Sequence, residues 1–139
     1  MKKKAMFQDK ISKILSSIDN VVEISKATAT VEIYAYSKDR IFNKGEDKNL
    51  QQIGVYSNPY KNTRSKKGLQ TAFVDQKFKG NLQQSITYNK DSIYFKNDYG
   101  KKISGYNEEH FKKRIYAPTK PEAQIYFDIL NEELNKLWK

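Results

Sequence analysis

Ile11, Ile14, Leu15 and Ile18 recur at three- and four-residue spacing, with Lys10, Lys13 and Ser17 between them. That period puts the apolar side chains on one face and predicts a helix over about 4–18. Asp19 and Asn20 end it, and Asn20 with Glu23 three positions on forms a start signal resembling a capping box for a second helix. Residues 21–43 carry two patterns. The β-branched run at 28–33 has the propensity of a strand. The spacing of Ile24, Ala27, Val31, Tyr34/Ala35 and Ile41/Phe42 is helical, with Gly45 as a natural stop. A strand filling the whole stretch would be several times the usual length of about 3–10 residues. A second helix is therefore expected over 20–44.

The pattern then loses its period. Residues 45–68 read as a long polar loop with three glycines, Pro59 and a basic cluster of Lys61, Arg64, Lys66 and Lys67. Loops of this length in a small domain are usually functional or disordered. Alternation returns over 85–88 and 92–95, and the turn residues Asn89, Lys90 and Asp91 between them predict a β-hairpin. A short helix is expected around 101–107 and a short strand at 114–116, which stops before Pro118, giving a sheet region of about 70–117. Thr119 and Glu122 form a capping box, with Pro121 in the first turn where it is tolerated. The helix it opens, over 119–138, carries an apolar stripe of Ala123, Tyr126/Phe127, Leu130, Leu134 and Leu137/Trp138 expected to anchor the core. The predicted class is α+β in one domain, 1–139: N-terminal helices, a small antiparallel sheet with a long basic loop, and a C-terminal amphipathic helix.

Composition narrows the chemistry. The 139 residues are 37% hydrophobic and include no cysteine and one histidine, His110. Disulfides, thiolate nucleophiles, Cys-ligated zinc and multi-histidine metal sites are thereby excluded. No apolar run reaches the roughly 20 residues of a membrane span, and the opening Met-Lys-Lys-Lys-Ala does not lead into the apolar core of a signal peptide. The net charge is +10, divided as +4 over residues 1–45, +5 over 46–90 and +1 over 91–139. Such a field attracts polyanions or an acidic partner. Only Arg40, Arg64 and Arg114 among the 26 basic residues are arginine. The forked guanidinium is the group suited to bidentate reading of bases and phosphates, so the charge reads as a background field.

No catalytic, cofactor-binding or metal-ligating residue is assigned. His110 has Glu108 and Glu109 beside it, a pairing that can serve as a general base, but it reads as a surface histidine in a charged turn. There is no nucleophile elbow, zincin motif or phosphate-binding loop. Glu46 and Asp47 beside Gly45 are too few oxygens for a calcium loop and read as a solvated acidic turn. Seventeen Tyr and Phe residues plus Trp138 make 13% of the chain. Tyrosines among lysines can stack on unpaired bases, and they also suit protein interfaces. For Tyr56 and Tyr60 the interface is preferred. Ile53 joins them as an expected anchor, with Lys61, Arg64, Lys66 and Lys67 as basic surface on the rim. The loop holding them is expected to be mobile until a neighbour orders it.

Three stretches resemble the tail-completion, or head–tail joining, proteins of tailed bacteriophages, the virion-morphogenesis or minor tail group. The first is Asp39-Arg-Ile-Phe-Asn43 with Gly45, followed by the sequence QQIGVYS at 51–57. The second is TAFVDQKFKGNLQQSI at 71–86, matching at Gly80, Leu82, Ser85 and Ile86; Lys79 stands where many members carry threonine. The third is ISGYNEEHF followed after two lysines by RIYAPTKPE. Together they cover roughly 35–125. The resemblance implies a non-enzymatic virion protein of the neck, assembled in the host cytoplasm as a ring of identical subunits. Its partners would be copies of itself and other neck or tail proteins, with non-specific contact to DNA in the channel, no membrane and no cofactor. The competing class is a small basic nucleic-acid-binding protein, including an RNA-cleaving toxin; the charge and the Tyr/Lys mixture suit it, but no binding motif is present.

Overall fold

Thirty-seven residues form the first helix in one piece. In the computed structural model, which describes residues 2–77 and 79–139, α1 runs Lys2–Lys38. The expected boundary at Asp19 and Asn20 is absent, and the two predicted helices are one. No glycine or proline precedes Gly45. Asp or Asn in an exposed helix interior costs only about 0.7 kcal/mol against alanine, too little to stop a helix already running. The β-branched run at 28–33 is helical for the same reason, and Ala29 and Thr30 are its buried positions.

A single π-helical turn, Asp39–Lys44, closes α1 and carries three consecutive residues, Arg40, Ile41 and Phe42, into the interior. It ends on Gly45 at φ 66°. A Cβ at that position would sit 2.4 Å from Phe73 Cδ2 and 2.6 Å from the Val74 carbonyl oxygen. The left-handed backbone and the close approach both demand glycine there.

The segment 45–68 is not the open loop its sequence suggests. Glu46 and Gln52 pair in an isolated antiparallel bridge. The Ile53 amide donates to the Gly45 carbonyl at 2.8 Å. Asp47 is buried, and its Oδ1 accepts the amides of Asn49 (2.8 Å) and Gln51 (3.0 Å), so this acidic turn is an internal cap and not a solvated one. Helix α2 follows at Asn58–Ser65, with Pro59 in its first turn, where the missing amide costs nothing.

A five-residue helix, α3 (Asn81–Ser85), leads into strand β1 (Ile86–Tyr88), which pairs with β2 (Ile93–Phe95). The hairpin is antiparallel, with Ile86 opposite Phe95, Thr87 opposite Tyr94 and Tyr88 opposite Ile93. Asn89 Oδ1 accepts the amides of Asp91 and Ser92 at 3.1 and 2.8 Å and fixes the turn. Helix α4 runs Asp98–Phe111, longer than expected, because Asn97 caps it by accepting the Gly100 amide at 2.8 Å. The strand expected at 114–116 does not form. Those backbone groups bond elsewhere: Glu108 Oε1 accepts the amides of Ile115 and Tyr116, and the Arg114 carbonyl accepts the Lys48 amide. Thr119 and Glu122 form the predicted capping box at the start of α5 (Lys120–Leu137).

Ile41, Phe42, Ile53, Val74, Leu82, Ile86 and Ile115 form the core, ringed by partly buried aromatics including Tyr34, Tyr56, Phe95, Phe111 and Tyr116. The architecture is α+β. The α5 stripe contributes less than expected: Leu130 and Leu134 are half-buried, and Phe127, Leu137 and Trp138 are exposed. Helix α5 begins beside the end of α1, where Glu122 meets Arg40, and packs back along it. Its 18 residues match only the later half of α1. Residues 5–17 of α1 are exposed throughout.

Candidate functional site

Two buried arginines organise the surfaces of this molecule. Arg40 donates from Nε to Glu122 Oε1 (2.8 Å), from Nη1 to the carbonyls of Glu46 (3.0 Å) and Ile115 (2.9 Å), and from Nη2 to the Ala117 carbonyl (3.2 Å) and Glu122 Oε2 (3.5 Å). These five contacts use the full donor capacity of a guanidinium. They tie the end of α1 to Glu46, six residues on, and to the stretch from Ile115 to Glu122, 75 to 82 residues away.

Arg64 is the second, and it overturns an expectation. It was read as a basic surface residue, but it is fully buried. It donates to the carbonyls of Gln70 (2.8 Å) and Lys77 (2.9 Å) and to both oxygens of Asp75 (2.9 and 3.1 Å). Its guanidinium carbon lies 4.4 Å from the centre of the Tyr56 ring. Tyr56 donates to Asp75 Oδ1 at 2.8 Å and accepts the amides of Asp75 and Gln76. The arginine, the tyrosine and the carboxylate thus lock the segment expected to be mobile. Ile53, the other expected interface anchor, is 2% exposed in the core and is not available to a neighbour. Of the residues singled out in this segment, Tyr60 is exposed and packs edge-on against Tyr56 at 5.1 Å, while Lys61 is half-buried and Lys66 and Lys67 are exposed. The basic surface is therefore smaller by one residue than the sequence implies.

Burial, and for Tyr56 also donation to Asp75, pushes the hydroxyls of Tyr56 and Tyr116 well above their ordinary value. A raised folded pKa contributes stability in full below the unfolded value of about 10 and loses it as pH rises beyond that. Stability should therefore decline on the alkaline side of about pH 10. Tyr56→Phe and Tyr116→Phe should each flatten that decline in urea titrations from about pH 8 to about pH 11. Identical alkaline slopes in all three proteins would rule the tyrosines out as its cause.

His110 is exposed on α4, stacked on Tyr106 at 5.8 Å. Glu108 spends its Oε1 on the two amides after α4 and is no free base for it. Among the described residues no group of three His, Asp or Glu could hold a metal ion, and no helix is long and apolar enough to cross a membrane. Phe78, inside the second stretch of phage resemblance, lies outside the described residues.

Two concave surfaces stand out. One, of about 490 Å³, lies between α2 and α4 and is edged by Tyr60, Tyr99, Tyr106 and His110. The other, of about 430 Å³, is an apolar groove floored by Thr30, Ile33 and Ser37 of α1 and walled by Ile93 and Tyr94 of β2 and Tyr126 and Phe127 of α5. Beyond α5, the free half of α1 carries Phe7, Ile11, Ile14 and Leu15 exposed. The spacing of Ile11, Ile14 and Leu15 was legible in the sequence. Exposure could not be read from periodicity, because it depends on how far α5 reaches.

The chain matches no protein-family model, no curated protein and no solved structure.

Proposed function

We propose that this chain is a non-enzymatic structural subunit of a tailed-bacteriophage neck, assembling with copies of itself into a ring at the head–tail junction. The observation that carries the assembly part is the free half of α1. Phe7 is 65% exposed and Leu15 56%, on a helix whose residues 5–17 are all exposed. A contiguous apolar face of this kind marks a surface meant for another protein. The buried arginine–carboxylate pairs close internal joints between chain segments. The neck assignment rests on the resemblance of the three stretches over 35–125. In a ring, Lys61, Lys66 and Lys67 repeat around the axis, and a net +10 per chain becomes a strong field beside DNA.

Size-exclusion chromatography with light scattering, at low and high salt, is the test. The expected result is an oligomer that survives high salt, since apolar contacts are not screened, with annular particles in negative-stain electron microscopy. A monomer at every salt concentration that cleaves RNA, and stops doing so in His110→Ala, would establish the toxin reading instead.

A further inference from the structure

The free half of α1 and the groove beside α5 are complementary, and no single chain can bring its own two together. Phe7, Ile11, Ile14, Leu15 and Ile18 fall on one line of the helix, and that line continues into Ser25 and Ala29, both buried. The face that is covered in the later half of α1, where α5 packs, therefore runs on uncovered towards the N-terminus. The groove lies on the same helix, at Thr30, Ile33 and Ser37. Ile11 and Ile33 are 22 positions apart in one uninterrupted α-helix, about 33 Å at 1.5 Å per residue. A rigid rod cannot fold back onto itself, so whatever fills this groove with this stripe comes from another copy.

We infer that the N-terminal half of α1 of one subunit docks in the groove between α1, β2 and α5 of the next, as the subunit–subunit contact of the proposed ring. Three features select this occupant. The groove is walled by isoleucine, tyrosine and phenylalanine and takes an apolar helix face. The arm brings Lys10 and Lys13, behind a run of three lysines at 2–4 in the sequence, against Asp9 and Asp19, a net +3 over residues 1–20. The groove offers Asp91 in its lining, and the exposed Asp128 follows Phe127 on α5; its one lysine, Lys38, bonds the Tyr34 hydroxyl at 3.1 Å. Two arms packed on each other would set these lysines side by side, whereas arm in groove sets them by carboxylates. Donor and acceptor surfaces differ, so the contact is heterologous, the type that generates closed rings or filaments.

This inference rests on the assembly reading, and the test separates the two. The chain has no cysteine, so single thiols report cleanly. Ile11→Cys and Tyr94→Cys proteins are mixed and treated with a short bis-maleimide. The expected result is a covalent dimer in the mixture and none from either protein alone; a chain carrying both substitutions should give a ladder. Ile11→Asp with Leu15→Asp should abolish the oligomer in light scattering and leave the circular dichroism of the subunit unchanged. Dimer from Ile11→Cys alone would overturn the proposal in favour of arm on arm. An oligomer that persists in the double-aspartate protein, with no cross-link in the mixture, would overturn it while leaving the ring intact. A wild-type chain that stays monomeric would overturn both.

Discussion

Arg64→Ala is expected to destabilise the chain by about 3–5 kcal/mol, the cost of stranding one member of a buried ion pair. The side chains of Arg64 and Asp75 are 1% and 6% exposed. Removing the guanidinium leaves the Asp75 carboxylate buried, with the Tyr56 hydroxyl and the Lys77 amide as its donors among the described residues. It also frees the Gln70 and Lys77 carbonyls, which Arg64 alone ties to α2. For a domain with a total stability of about 5–15 kcal/mol, such a loss is close to unfolding. Arg64→Lys keeps the charge but cannot reproduce the fork, so it should recover only part of the difference. The pair Arg64→Met with Asp75→Leu removes both charges and should be more stable than Arg64→Ala. Urea midpoints of the four proteins are the measurement. A shift in Arg64→Ala within about 0.5 kcal/mol, the range of ordinary surface substitutions, would mean that Arg64 is a surface residue after all.

That position also shows where sequence stops being informative. The hairpin at 86–95 and the Thr119–Glu122 box could be read because a turn and a cap are local chemistry: Asn89 and Thr119 bond amides two or three residues away. The burial of Ile53 and Arg64 could not, because it follows from partners such as Asp75, eleven residues from Arg64. The strand expected at 114–116 failed for a similar reason. Its residues have strand propensity, but Glu108 and Arg40 took the backbone groups that a ladder would have used. A compositional signal was nevertheless present. Of the 26 basic residues only three are arginine, and two of those three are the buried forks. The same limit applies to the candidate surfaces. The apolar stripe of the first helix was visible in its spacing, but its freedom depends on α5 ending opposite the middle of α1.

An effect of the same size should come from Arg40. Its five contacts join α1 to Glu46, to the segment 115–117 and to Glu122 at the start of α5. Arg40 and Glu122 have side chains 4% and 6% exposed. Arg40→Met matches the volume and strands the carboxylate, so a loss of about 3–5 kcal/mol is expected. Glu122→Gln should cost less, because glutamine can still accept the Thr119 amide in a capping box, and the effect of the two together should fall short of their sum. The damage should also be directional. Arg40 is the joint that holds the first turn of α5 against α1, and Tyr126 and Phe127, one turn further on, form a wall of the apolar groove. Hydrogen exchange in Arg40→Met should therefore accelerate first over 115–130, ahead of the hairpin and α4. Subunit association should fail at denaturant concentrations where those elements are still protected. Uniform acceleration across the whole chain would show that the joint and the core unfold as one unit, with no separate weakening of the groove.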